Sequence, residues 1–259
     1  MSSWNREVVN TLKKCFTGGG VTKLACGKQG CVYKHDDRIV KIFNGPDMAE
    51  MRQEFDLMNS LKDISGIPHV YALKCGNLNG FEQDLLNAVN LSEYIRKNRV
   101  IGPKLQQTII KLVENIHSRN IVHLDLHDQN VMISKDGKQA FVIDFGLGKR
   151  RTDLGDDQND SRVWQAMQAL DWCTLALTAR GFEACKFNRF SSSSNLVVHA
   201  RKSLAGLSVN ELHAALVNHD GPSMIRILID KRQLHDEKPD VLFPRTISDA
   251  KQMWDEMTL

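Results

Sequence analysis

No apolar run in these 259 residues approaches the roughly 18 needed to cross a bilayer, so no membrane span is expected. The first residues lead into a mixed polar segment rather than an apolar one, which argues against a secretory leader. Position 2 is serine, so the N-terminal myristoylation signal is missing as well. An excess of one charge is also lacking. Lys and Arg number 34 against 31 Asp and Glu, and the resulting +3 is too slight to expect nucleic acid or an anionic membrane as a partner. Six cysteines, at 15, 26, 31, 75, 173 and 185, include no C-x-x-C pair. That spacing leaves zinc unsupported, and reduced thiols in a cytoplasmic compartment are the simpler expectation. Internal repeats and heptads are absent. The length admits one large domain or two small lobes, with room for a sizeable core.

Against these absences stands one dense stretch, His123-Leu-Asp-Leu-His-Asp-Gln-Asn130, followed by Val142-Ile-Asp-Phe-Gly146. Ile121-Val122, Val131-Met-Ile133 and Phe141-Val-Ile143 are short apolar runs bounded by turn residues, which read as buried strands. The polar residues therefore fall at strand ends, on loops carried by a stiff scaffold. A carboxylate at Asp125 can accept a proton from an attacking hydroxyl. Asn130 and Asp144 are hard oxygen ligands of the kind that holds Mg²⁺, which commonly bridges to substrate phosphates. Asp and Asn are frequent in turns, so each position alone means little. The joint spacing resembles the catalytic loop H-R-D-L-K-x-x-N and the metal loop D-F-G of the protein kinase family.

The flanking sequence extends the resemblance. Gly27 and Gly30, with Val32, lie between β-type segments and match the kinase glycine-rich loop, in which the first glycine is here Ala25. Lys41 shares a strand face with Ile39 and Phe43, one hairpin later; read alone it could be an edge-strand charge. A helix is expected over 46–62, started by Pro46, with Glu54 as the partner for Lys41 and Glu50 as the fallback. Gly66-Ile-Pro-His-Val-Tyr71 resembles the entry to a kinase strand, and residues 87–90, including Asn87 and Ala88, read as the hinge for adenine. Two helices are expected over 91–99 and 103–119; the second carries Leu105, Ile109, Leu112, Val113 and Ile116 on one stripe. Residues 147–163 read as a polar surface loop that lacks the A-P-E sequence, and 164–179 as an apolar helix whose Asp171-Trp172 resembles the kinase αF motif, which implies that Asp171 holds the catalytic-loop backbone. Gly18 to Gly20 suggests a joint, Gly181 a helix end and 191–194 a loop. Further helices are expected near 195–205, 208–218, 222–230 and 247–257, the last after an extended 239–244.

The resemblance implies an α+β, bilobal, protein-kinase-like fold occupying residues 1–259 as a single domain. An antiparallel-sheet N-lobe with helix αC would span about 1–86, a hinge 87–90 and a reduced, mainly helical C-lobe 91–259, with ATP and Mg²⁺ between the lobes. By the same resemblance Asp125 orients or deprotonates the acceptor, Asn130 and Asp144 hold Mg²⁺, and Lys41 with Glu54 positions the phosphates beneath Gly27 and Gly30. His123 is expected to pack against Phe145. His127 stands where Ser/Thr kinases carry a lysine beside the γ-phosphate. A protein substrate with Ser/Thr acceptors is favoured, since no tyrosine-kinase signature is present. Leu124 replaces the arginine that pairs with a phosphorylated activation loop, implying activity without that modification. The trimmed segments resemble the small kinases of viruses, phages and bacterial effectors, which would place the protein in the cytoplasm, that of a host included. A small-molecule phosphotransferase of the aminoglycoside or choline kinase type and a pseudokinase binding module stay open as alternatives.

Overall fold

A computed structural model describes residues 3–16, 20–27, 30–44, 48–98, 101–154, 158–179, 195–204, 206–208, 211, 214 and 215. They form an α+β fold whose chain divides into two compact units, Met1–Asn87 and Ala88–Leu259.

The first unit is built on an antiparallel sheet. Its strands are β1 (Val21–Cys26), β2 (Gly30–His35), β3 (Arg38–Phe43), β4 (Val70–Ala72) and β5 (Gly80–Asp84), in the order β1-β2-β3-β5-β4. Alternation along the strands assigns the two faces. Cys31, Tyr33, Val40 and Ile42 form one face with Cys75, and helix α1 (Ser3–Cys15) covers them with Val8 and Leu12, four residues apart on one side of the helix. Burying those two side chains contributes about 1.5–3 kcal/mol each. Val32, Lys41 and Phe81 are consecutive cross-strand neighbours and so share the other face, where they meet helix α2 (Ala49–Ser60). The helix expected from Pro46 thus begins at Ala49; residues 45–47 lie outside those described.

The expectation of reduced cysteines fails in this unit. Cys15 and Cys75 are disulfide-bonded with their Cα atoms 5.5 Å apart, and Cys26 is bonded to Cys31 across 4.0 Å. The reason is tertiary placement. The end of α1 lies beside the loop after β4, and Cys26 opposes Cys31 in the β1–β2 ladder. Neither relation leaves the C-x-x-C spacing that sequence reading looks for. In the chain-entropy picture the Cys15–Cys75 link, closing a separation of 60 residues, stabilises by about 4 kcal/mol. The side chains of Cys173 and Cys185 lie outside those described.

The second unit carries a three-stranded antiparallel sheet, β6 (Ala88–Asn90), β8 (Val131–Ser134) and β9 (Ala140–Val142), in the order β6-β8-β9, and a small ladder of β7 (Ile121–Val122) with β10 (Lys149–Arg150). Around these lie α3 (Leu91–Asn98), α4 (Pro103–Ser118), α5 (Gln158–Ala179) and α6 (Asn195–Leu204). Pro103 opens α4 at the position where its missing N–H costs nothing, and Leu105, Ile109, Ile110, Leu112, Val113 and Ile116 are buried along it.

The loop expected over 147–163 is more ordered than its composition suggests. It contains β10, a 3₁₀ turn over Arg151–Asp153 and the beginning of α5 at Gln158. A two-residue strand is made by backbone pairing with β7, to which polar side chains are no obstacle. The polar start of α5 is tied down from outside: Arg151 donates to the Ser161 hydroxyl, and Arg162 pairs with Glu211. Gly18, Gly19, Gly181, the loop 191–194, most of 208–218 and everything expected beyond it lie outside the described residues.

Candidate active site

In the second unit the stretch 123–130 occupies the break between β7 and β8, and Asp144 follows β9. A loop has no ladder to satisfy its backbone, so side chains must. Asp171 of α5, only 1% exposed, does this for the start of the loop. Its Oδ2 accepts the His123 N–H at 2.8 Å and its Oδ1 the Leu124 N–H at 2.6 Å. His117 Nε2, at the end of α4, lies 2.9 Å from the same Oδ2. The clamp holds an unfavourable conformation, because Leu124 has φ of 63°, a region costing an L-residue roughly 1–2 kcal/mol. Its side chain is buried and carries no donor.

The rest of the loop is held by its own polar groups. Asn130 Nδ2 donates to the Asp125 carbonyl at 2.9 Å and to Asp125 Oδ2 at 3.1 Å. This sets the orientation of the Asp125 carboxylate and leaves Asn130 Oδ1 as the oxygen the amide can offer a cation. His127 is buried; its Nδ1 accepts the Gln129 N–H at 3.1 Å, which puts the proton of the neutral ring on Nε2, 3.5 Å from Asp125 Oδ2. His127 therefore faces the carboxylate of Asp125.

His123 ties this loop to the next. Its Nδ1 accepts the Asp125 N–H, its Nε2 reaches the Ile143 carbonyl at 3.0 Å, and its ring packs on Phe145 at 4.6 Å between centroids. Ile143 N–H donates to the Asn130 carbonyl at 3.0 Å. Asp125, Asn130 and the approach to Asp144 are thus joined by hydrogen bonds. Asp144 itself has φ of 66°, a left-handed turn that short polar residues tolerate.

In the first unit Lys41 Nζ sits 2.6 Å from Glu54 Oε2 and 2.9 Å from Oε1. Glu54 is 1% exposed and Glu50 is exposed, so of the two candidate partners Glu54 is the one that meets the lysine. The glycines divide their work. A Cβ on Gly30 would lie 2.0 Å from the Ile42 carbonyl oxygen, so this glycine is needed for β2 to approach β3. A Cβ on Gly27 would meet nothing within 4 Å, so packing among the described residues does not require glycine there. Gly27 N–H donates to the Gly30 carbonyl at 2.8 Å, closing the hairpin. Val32 lies beside Lys41 in the ladder. Asn87 ends the first unit, and Ala88 opens the second in β6, paired with Ser134.

Among the described residues no group of three or more His, Cys, Asp or Glu is placed to hold a metal. Asn130 and Asp144 carry hard oxygens of the kind an ion of the Mg²⁺ type would take, with its remaining ligands drawn from water and substrate phosphate. His117 was not singled out from the sequence. Its partner Asp171 is 54 positions away, and no local pattern announces that bond.

The protein kinase domain family matches residues 27–168, just over half of the chain. The chain belongs to the protein kinase family. The match takes in the glycine hairpin, Lys41, Glu54, the 123–130 loop and Asp144. Among individual relatives, the "Probable serine/threonine-protein kinase fnkB" of Dictyostelium discoideum is 31% identical over 114 residues, 42% of this chain and 21% of that protein. "Serine/threonine-protein kinase 40" of Bos taurus is 28% identical over 94 residues, 35% of this chain and 22% of its own length. The "cAMP-dependent protein kinase catalytic subunit PRKX" of Mus musculus is 27% identical over 143 residues, 51% of this chain and 38% of the relative. This kinase domain chain therefore spans about a fifth of the length of the first two relatives. No helix among the described residues is long and apolar enough to cross a membrane.

Proposed function

We propose that this protein is an ATP-dependent protein kinase that transfers the γ-phosphoryl group of Mg·ATP to a serine or threonine hydroxyl of a protein substrate. The observation that carries this reading is the formed Lys41–Glu54 ion pair, with Glu54 buried. A buried carboxylate is costly to keep unless a task or a partner requires it, and kinases need this pair in place to position the phosphates. The Ser/Thr preference follows the two relatives named as serine/threonine-protein kinases.

Asp125 accepts the hydrogen bond of the acceptor hydroxyl and takes its proton as the phosphoryl group moves. The Asn130 amide keeps that carboxylate turned to the acceptor, and the Asp171 clamp keeps the loop from relaxing. Gly27 lends its backbone to the phosphates and Lys41 its charge. Asn130 and Asp144 supply the oxygens for Mg²⁺, which when bound neutralises charge developing on the β- and γ-phosphates. Leu124 offers no donor to a phosphorylated loop, while Arg151 already engages Ser161, so the enzyme is active without loop phosphorylation. An intracellular location, where nucleotide triphosphate is supplied, belongs to the same reading.

The test is phosphoryl transfer from radiolabelled ATP by the full chain, with Mg²⁺ and a panel of protein, sugar and aminoglycoside acceptors. Label should pass to protein in the wild type and be lost in Asp144→Asn with the melting temperature unchanged. Equal turnover by the two proteins, or transfer to small molecules alone, overturns the reading. Phosphatase treatment of the wild type should change its rate by threefold or less.

A further inference from the structure

The glycine hairpin is crossed by a covalent bond that kinase chemistry does not need. Cys26 is the last residue of β1 and Cys31 the second of β2, so their bond joins the two strands beside Gly27 and Gly30. The two residues are unequally placed. Cys26 is exposed, whereas Cys31 is buried in the face covered by α1. On α1 one side chain addresses both: Asn5 Oδ1 lies 3.1 Å from Cys31 Sγ and 3.6 Å from Cys26 Sγ, and accepts the Tyr33 hydroxyl at 3.2 Å. A disulfide sulfur has no proton to donate, so the Asn5 oxygen gains nothing from Cys31 in the bonded state. A thiol does have one, and a carbonyl oxygen already within reach can accept it. The surroundings thus suit either oxidation state of the pair.

We propose that Cys26–Cys31 is a thiol–disulfide switch on the glycine hairpin, with helix α1 sensing its state through Asn5. A dithiol reductant attacks the exposed Cys26 sulfur through its thiolate, the Cys26–Cys31 bond breaks, and Cys31 leaves as thiolate. The second thiolate of the reductant attacks the mixed disulfide and releases Cys26. Two electrons pass from reductant to protein, the reductant ends as its own disulfide, and each cysteine takes up one proton. Cys31 then donates to Asn5. In the intracellular location of the reading above, a disulfide on an exposed hairpin would be of the transient, redox-sensing kind. The functional consequence rests on the nucleotide reading given above. The bonded hairpin holds the Gly27 backbone in one geometry and binds phosphate with less ordering to do, and reduction loosens it.

The test uses the full chain, oxidised or treated with dithiothreitol, and Cys26→Ser/Cys31→Ser and Cys15→Ser/Cys75→Ser variants. Peptide mapping without reductant should find the 26–31 link. Hydrogen exchange over residues 21–35 should quicken at least tenfold on reduction in the wild type and in Cys15→Ser/Cys75→Ser, but not in Cys26→Ser/Cys31→Ser. Calorimetric titration with a non-hydrolysable Mg·ATP analogue should show a Kd at least threefold higher in the reduced wild type. Absence of the link after oxidation, unchanged exchange, or an equal response in Cys26→Ser/Cys31→Ser overturns the switch. Equal nucleotide affinity in both states overturns its effect on binding. Nucleotide binding in neither state overturns the ATP reading instead, and the exchange measurement then decides the switch alone.

Discussion

The two units hold their residues of the proposed site by opposite means. In the first, Lys41 and Glu54 stand on a strand and a helix that are packed independently of them, with apolar side chains on both sheet faces and two cystines closing the unit. In the second, Asp125 and Asn130 stand on a loop between short strands, held by buried polar groups centred on Asp171. A ladder satisfies its own backbone and leaves side chains for chemistry. A loop must spend side chains on its backbone, and a single buried carboxylate then carries several bonds.

That contrast can be broken at the chemistry, at the clamp, at the ion pair and at the surface, in falling order of effect. Asp125→Asn should lower the rate of phosphoryl transfer by about 10²–10⁴-fold, the usual worth of a general base, with the denaturant midpoint unmoved. A parallel loss of stability would show that Asp125 is also a structural member of its loop. Asp171→Ala leaves the His123 and Leu124 N–H groups buried without their acceptor, at about 1–3 kcal/mol each. Urea unfolding should register that cost directly, and activity should fall because Leu124 is no longer held at its positive φ.

Lys41→Met removes the ion-pair partner of the Glu54 carboxylate, 1% exposed, and should cost up to about 3–5 kcal/mol. Adding Glu54→Leu should restore most of the stability and none of the activity, separating what the pair does for the fold from what it does for phosphate. If the single variant unfolds no more easily than the wild type, the packed elements of the first unit hold the site without the pair. The smallest effect is at the surface. Arg162 and the Ser208 N–H hold the Glu211 carboxyl down to about 2. A depressed carboxyl stabilises above its unfolded value, near 4.5, and loses that contribution as pH falls towards 2. Glu211→Gln should remove this slight acid dependence by lowering the neutral-pH midpoint a little and leaving the most acid value nearly unchanged.

Much of the site was legible because its residues are close in sequence. Asp125, Asn130 and Asp144 fall within twenty positions, between apolar runs that became β7, β8 and β9. The choice of Glu54 over Glu50 was harder. Both lie on one helix four residues apart, and the contact with Lys41 settles it. His127 was placed in the loop correctly as a residue, but its direction depends on the Gln129 N–H that fixes its tautomer. The extent of α5 was misjudged because its first turns are polar; their order comes from Arg151, Ser161, Arg162 and Glu211, partners that composition does not reveal.

By itself the sequence determined most of the strands and helices, the face of β3 on which Lys41 stands, and the residue types at the proposed site. Period and spacing are local quantities, and they are enough for that. The αF resemblance implied that Asp171 holds the catalytic-loop backbone, and its bonds to His123 and Leu124 agree; only the tertiary structure decided that Cys15 meets Cys75 and Cys26 meets Cys31. It also decided that Gly30 serves β2–β3 packing, while packing among the described residues does not require glycine at Gly27. These are relations between surfaces brought together by burial, and the side chains that make them carry no local mark of the partner they will find.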